Sequence, residues 1–365
     1  MLFTRRVLSF VEPGASAPGR SEEPIRAELF SPERMESHAE SLAAAQRTVA
    51  DGSASRPLDA RSRDNGRVLL GCYQTVATAA REKKTITSAA EWLLDNFHVV
   101  EDQLRELERS LTPRFCRSLP ALADGPLAGF PRAYGVAWAF VAHSDSRFDA
   151  VLLRRFLLAY QRVETLDMRE VWAVPLMLGC VLIENLRRLG ERMAASQDSR
   201  RDADAFADEL LALGNQPAEP ADNALRALSD RRLTRAFAVQ LIQRLRYLDI
   251  SLQRLNEKLA GMDMDADALV QTEHTSQSAG NLTVRNIITS MRAMAAFDWP
   301  NWFEDVSAVD ACLRCSPAFS GMDFATRDRY RHALEELARD SRYSELDIAQ
   351  AVIARSVHAA AGDGA

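Results

Sequence analysis

Apolar residues recur three and four positions apart along nearly all of this 365-residue chain, and the strict alternation of a half-buried strand is almost absent. A 3.6-residue period keeps one stripe of a helix dry, so a chain made of such stripes must pack helix on helix. The expected fold is all-α, a multi-helix bundle or irregular α-α array of about 10–13 helices. Hydrophobic residues make up 47% of the chain, enough for a substantial core at this length.

The segment 88–148 is the most structured in pattern. Ser88 with Glu91 reads as a capping box, in which a hydroxyl and a carboxylate each satisfy an orphan backbone N–H. Leu93, Phe97, Val100, Leu104 and Leu107 then form one apolar stripe. Pro113 and Pro120 mark its end, and Asp124-Gly125-Pro126 and Gly129-Phe130-Pro131 are turn chemistry. A short apolar helix is predicted over 134–143. Asp149 caps the next, with Leu152, Phe156, Leu157 and Tyr160 facing inward. A long helix over 168–193 contains Pro175, which predicts a kink or a displaced start.

Composition divides the chain into a flexible tail (1–24), a helical subdomain (25–195), a polar connector (196–230) and a second helical subdomain (231–361). Within the last, 272–281 is polar and contains a glycine, so it reads as a break. Helices are predicted over 283–297, 299–313, 324–340 and 344–360, with Ser344 and Asp347 in capping positions.

The net charge of −6 argues against a general nucleic-acid binder. Five cysteines, Cys72, Cys116, Cys180, Cys312 and Cys315, lie mostly inside helical patterns and fit a reducing compartment. The apolar stretch after Arg5 and Arg6 is too short for a signal peptide. The longest uncharged apolar run, 171–183, is shorter than the about 20 residues a bilayer needs. No direct membrane span is expected.

Motifs for catalysis are weak. Cys312 and Cys315 form a CxxC without a second ligand pair or a preceding strand. Asp263, Asp265 and Asp267 fail as a calcium loop and read as an acidic helix start. Asn281-Leu-Thr283 reads as a helix cap, with Asn281 or Thr283 satisfying an orphan N–H. Trp299 and Trp302 around Pro300 read first as a packed corner. With no HExxH, GxSxG or phosphate loop, no catalytic residue, cofactor or metal is assigned.

Several long strings carry a resemblance. They are WLLDNFHVVEDQLRE from Trp92, ADGPLAGFPRAYGVAWAFVAHSDSRFD from Ala123, AYQRVETL from Ala159 and VWAVPLMLG from Val171. ENLRRL from Glu184, VRNIITSMR from Val284, AFDW from Ala296 and MDFATRDRYRHALEELAR from Met322 join them, as do IRAELFSPERMESHAESLAAAQ from Ile25 and RSRDNGRVLL from Arg61. Together they resemble the N-terminal region of cyclic β-1,2-glucan synthases over about 25–361 of the chain.

The resemblance implies a bacterial inner-membrane synthase. In it, a helical region precedes membrane helices and a processive transferase that extends a protein-attached glucan from UDP-glucose; a phosphorylase-like C-terminal part trims the product before cyclisation. This chain has no Arg-Trp dipeptide, hence no QxxRW motif, so the family's catalytic residues carry over to no position here. The expectation is a truncated or split piece ending before the membrane region. It would act as a cytoplasmic accessory scaffold at the inner face of the inner membrane. Its partner would be the transferase and membrane portion of the same synthase, in cis or in trans.

Two alternatives stand beside this. One is a helical carbohydrate-active enzyme using Asp298, Glu304 and Asp305 beside Trp299 and Trp302. The other is a helical interaction protein unrelated to glucans. The candidate docking surface is the polar cluster of Arg132, Tyr134, His143, Asp145 and Arg147, expected to lie near Asn96 and His98. Its competing reading is a structural knot.

Overall fold

The computed structural model describes residues 23–49, 56–213, 234–247, 266–339 and 341–362. These form fifteen helices and one two-stranded ribbon, so the all-α class is correct. The helices outnumber the expected 10–13 because short turns and breaks divide the predicted runs.

Helix α1 (Pro32–Ala45) starts at Ser31, whose hydroxyl accepts from the Arg34 N–H, with proline in the first turn where its missing N–H is harmless. Strand β1 (Thr48–Val49) pairs antiparallel with β2 (Ala121–Leu122). Between them lie α2 (Leu58–Arg81), α3 (Ser88–Asp95), α4 (Phe97–Ser110) and α5 (Pro113–Arg117). Helices α6 (Arg132–His143), α7 (Ala150–Gln161) and α8 (Met168–Leu213) follow.

The 46-residue α8 is the axis of the fold, about 69 Å long at 1.5 Å per residue. Val171, Val174, Met177, Leu178, Val181, Ile183 and Leu186 are all buried and point to several sides of the helix, so its first half is enclosed by its neighbours. Helices α2, α4 and α6 surround that half, while α1 packs on α7. The start of α8 stays at Met168 despite Pro175. Asp167 Oδ1 accepts the Glu170 N–H at 2.9 Å, and the Glu170 carboxylate accepts the Asp167 N–H at 3.1 Å. Gly135 lets α6 lie on the ribbon: a Cβ there would sit 2.8 Å from Leu122 Cδ1 and 2.9 Å from Gln46 Nε2.

Several predicted boundaries moved, among them the end of α8, which runs past 193 to Leu213. The cap of α3 is Thr87, whose extended backbone suits the role and whose hydroxyl accepts from the Ala90 N–H at 3.3 Å; Ser88 lies inside the first turn. The predicted 88–107 stripe is split at Asn96, whose side-chain amide competes for the Trp92 carbonyl at 2.8 Å. The predicted 299–313 helix is split into α11 (Trp299–Val306) and α12 (Ala308–Leu313) by Ser307, which caps the second.

The predicted break at 272–281 is helix. It lies inside α10 (Ala266–Ala295), which follows α9 (Arg235–Tyr247). The Thr272 and Thr275 hydroxyls donate to carbonyls four residues back, at 2.7 and 2.9 Å, so neither opposes the helix. Helices α13 (Pro317–Ser320), α14 (Phe324–Arg339) and α15 (Glu345–Gly362) complete the order. Ser344 and Asp347 exchange capping bonds at 3.0 and 3.1 Å, as the sequence predicted.

Two hydrophobic clusters emerge among the described residues. The principal one runs from Ile25 to Ala349 and includes residues before 195 and after 283. The second joins Ala203, Phe206, Leu210, Phe237, Leu241, Ile242 and Leu245, where α8, α9 and α10 meet. Between them, residues 191–202 of α8 and 267–282 of α10 include no buried side chain. Residues 196–213 continue α8 as helix; the rest of the predicted connector, 214–230, and the tail to residue 22 lie outside the described residues. No helix of the described residues is long and apolar enough to cross a membrane.

Candidate functional site

Every residue of α6 except Trp138 is buried, and the chain leaves its end through a turn that two non-glycine residues make left-handed. Asp145 has φ 49° and Ser146 φ 62°. Aspartate tolerates this region and serine visits it rarely, so the surroundings must hold the turn in place.

They do so from three directions. From α10, Thr283 Oγ1 donates to Asp145 Oδ1 at 2.7 Å and Asn286 Nδ2 to Asp145 Oδ2 at 3.1 Å. Ser290 Oγ donates to the Ser146 carbonyl at 2.9 Å and accepts the Phe148 N–H at 2.7 Å. From α8, Asn185 Nδ2 donates to Ser146 Oγ at 2.9 Å, and Asn185 Oδ1 accepts the Ile25 N–H at 2.7 Å. From the segment before α1, Arg26 pairs with Asp145 at 3.5 Å.

His143 ends α6 beside this turn. Its Nδ1 lies 2.8 Å from the Glu28 carbonyl, which assigns the proton to Nδ1, and its ring stacks on Phe30 at 3.9 Å. His38 of α1 meets it edge-on at 4.6 Å. Burial, then the His143 charge and Arg34, push His38 down to about 4; burial also lowers His143 against the pull of the Glu28 carbonyl. Both rings therefore fold neutral. Their stabilisation is full above the ordinary histidine pKa of about 6.5 and fades as pH falls, for His38 towards about 4, because the unfolded chain binds protons that the folded one refuses. The urea midpoint should drop between about pH 7 and pH 5, and His38→Gln should flatten that drop. An unchanged slope in the variant would contradict the assignment.

The other sequence-predicted residues are dispersed. Arg132 opens α6, about 17 Å from His143 by helix rise. Its Nε donates to Glu170 Oε1 at 2.7 Å, its Nη2 to the other oxygen and to the Thr165 carbonyl at 3.1 Å, and its Nη1 to Glu164 at 3.3 Å. Tyr134 is a core ring between Phe130 and Trp138, and burial followed by the nearby Glu184 charge raises its phenol. Asn96 is buried and accepts from Arg292 of α10. His98 and Arg147 are exposed. The structure thus groups His143, Asp145 and Arg147 at one end of α6 and places Arg132 at the other, while Asn96 reaches α10 through Arg292.

Sequence reasoning missed the most heavily bonded acid among the described residues. Glu184 of α8 is 1% exposed and receives Arg61 at 2.6 and 3.0 Å, Arg187 at 3.0 Å, Arg188 at 2.9 Å and Asn65 at 2.8 Å. Burial alone would raise it, but the Arg61 hydrogen bond and the charges of Arg188, Arg61 and Arg187 hold it well below the usual carboxylate range. The 184/187/188 spacing was a readable i, i+3, i+4 signal; Arg61, on another helix, was not.

The tryptophan corner packs as expected. Trp299 meets Phe148, Phe297 and Trp302 at 5.5, 4.9 and 5.3 Å. Of the carboxylates beside it, Asp298 caps α11, Glu304 is bound by Arg327 at 2.8 and 2.9 Å and by Arg331, and Asp305 is exposed. Asn281 does satisfy an orphan N–H, but across the fold: its Oδ1 accepts from Ala89 at 2.8 Å. Asp267 opens α10, whereas Asp263 and Asp265 lie outside the described residues. Among the described residues no group of three or more His, Cys, Asp or Glu could hold a metal ion, and Cys312 and Cys315 are free thiols.

No family-wide sequence profile matches the chain. Over 333 residues, 90% of its length, it is 35% identical to the cyclic beta-(1,2)-glucan synthase NdvB of Rhizobium meliloti (strain 1021), of which it spans only 12%. That near-complete alignment, with the helical strings noted above inside an all-α structure, means that the chain belongs to the cyclic β-1,2-glucan synthase family, as a counterpart of its N-terminal region.

Proposed function

We propose that this chain is a helical scaffold in β-1,2-glucan synthesis, docking on the transferase and membrane portions of a synthase, in cis or in trans, at the cytoplasmic face of the bacterial inner membrane. The observation that carries this is the alignment of 90% of the chain with 12% of a synthase. The pairs Arg132–Glu170, Glu184–Arg61 and Glu304–Arg331 support a scaffold, because each ties two segments together and engages a buried carboxylate. In this reading, glucosyl transfer belongs to the larger portion, and the docking surface is the pinned turn after α6.

Arg147 is the exposed cation of that turn. Arg147→Ala should weaken co-purification with the remaining synthase portion several-fold while leaving helicity by circular dichroism unchanged. Loss of helicity would make Arg147 structural. Failure of the unaltered chain to co-purify, with glucan synthesis intact after its deletion, would overturn the scaffold itself.

A further inference from the structure

We infer that Glu345 is a proton-dependent latch that fastens α15 to the N-terminus of α8, closed when the carboxyl is protonated and loosened when it ionises. Glu345 is the first residue of α15, 6% exposed, and its Oε2 accepts the Met168 N–H at 2.7 Å across 177 residues of sequence. That bond ties two helices directly.

The charges facing it are unbalanced. From the α8 end come Asp167, Glu170 and Arg169; Glu170 is held by Arg132, and Arg169 lies 3.4 Å from Glu335. From α14 comes Glu335, also paired with Arg339 at 3.1 Å. Helix α12, also packed on α15, contributes Asp310, held by Arg331 and Arg314. Asp347 of α15 is exposed and bonded to Ser344. An ionised Glu345 therefore adds a buried negative charge beside Asp167 and Glu335, against the single facing charge of Arg169, which Glu335 shares at 3.4 Å.

A neutral carboxyl keeps its carbonyl oxygen as acceptor for Met168 and removes that repulsion. The α8 dipole favours an anion, but the Asp167–Glu170 cap already occupies that end. In support, burial pushes the carboxyl up, the Met168 N–H pulls it back, and Asp167 and Glu335 carry it further, to about 7.

Helix α15 has few fully buried side chains beside this tie. Of residues 345–356, only Glu345 and Ala349 are buried, while Leu346, Ile348 and Ile353 pack half-buried on the principal core, so a lost latch loosens α15 without freeing it. Because the folded pKa lies above the ordinary 4.5, the stabilisation is full below about pH 4.5 and is lost as pH rises through about 7. Between about pH 6 and pH 8 the docking constant should fall about tenfold.

The test is amide hydrogen exchange over 346–356 at those two pH values, corrected for the intrinsic exchange rate, with α7 as internal control. The expected result is a roughly tenfold loss of protection at the higher pH in the unaltered chain. Glu345→Gln, a neutral acceptor of the same shape, should keep protection at both. Equal protection of the unaltered chain at both pH values, or the same fall in the glutamine variant, overturns the latch. Should the variant not fold, the carboxyl carbon shift of Glu345 in the unaltered chain decides: a titration midpoint near 7 supports the latch, and one below about 5 sinks it.

Discussion

Replacing Arg132 with alanine is expected to remove about 3–5 kcal/mol of unfolding free energy, the cost of leaving a buried ion unpaired. The Glu170 side chain is wholly buried, and Arg132 supplies donors to both of its oxygens. The same guanidinium also bonds the Thr165 carbonyl and Glu164, so its removal frees the loop that leads from α7 into α8. Against a typical total of about 5–15 kcal/mol, that is about a fifth or more of the stability of a domain. Lysine should recover little, because a point charge cannot reproduce the planar fork. Arg147→Ala, in an exposed position, should change stability by no more than about 0.5 kcal/mol. Urea denaturation of the two variants separates the residue that builds the scaffold from the residue offered to a partner. A cost under about 1 kcal/mol for Arg132→Ala would remove Arg132–Glu170 from the list of structural ties.

The contrast between those two arginines marks how far the sequence could be read. The helical class was legible because its period persists along the chain, and local caps at Asp149 and Ser344 fell where expected. The turn after α6 was legible as polar, since histidine, aspartates, serines and arginine follow an apolar run. Its partners were not: Thr283, Asn286 and Ser290 lie 138, 141 and 144 residues away, and no local pattern records such contacts. Arg132 and His143 looked like one cluster because they flank one short helix, yet a helix places its two ends apart. The Glu184 cage was hidden for the same reason, half of it lying on α2.

The misread stretch 272–281 leads to the second large expectation. It looked like a break because a helix that bridges two cores is polar on every face, which sequence alone cannot tell from a loop. The second core is small, and Leu241 sits in it at 2% exposure among Phe206, Phe237, Ile242 and Leu245. Leu241→Ala should remove about 2–5 kcal/mol there. Cooperative unfolding spreads through shared buried contacts, and along about 18 Å of α8, residues 191–202, no side chain is fully buried and only Met193 packs on the principal core. Among the described residues, helix backbone and the Arg200–Glu273 pair at 3.9 Å run along the seam. The loss should therefore stay local. Hydrogen exchange over 203–213 and 235–245 should accelerate by well over tenfold, while 171–189 in the principal core keeps its protection. An equal rise in both regions would mean that the two cores melt as one and that the polar seam transmits stability after all.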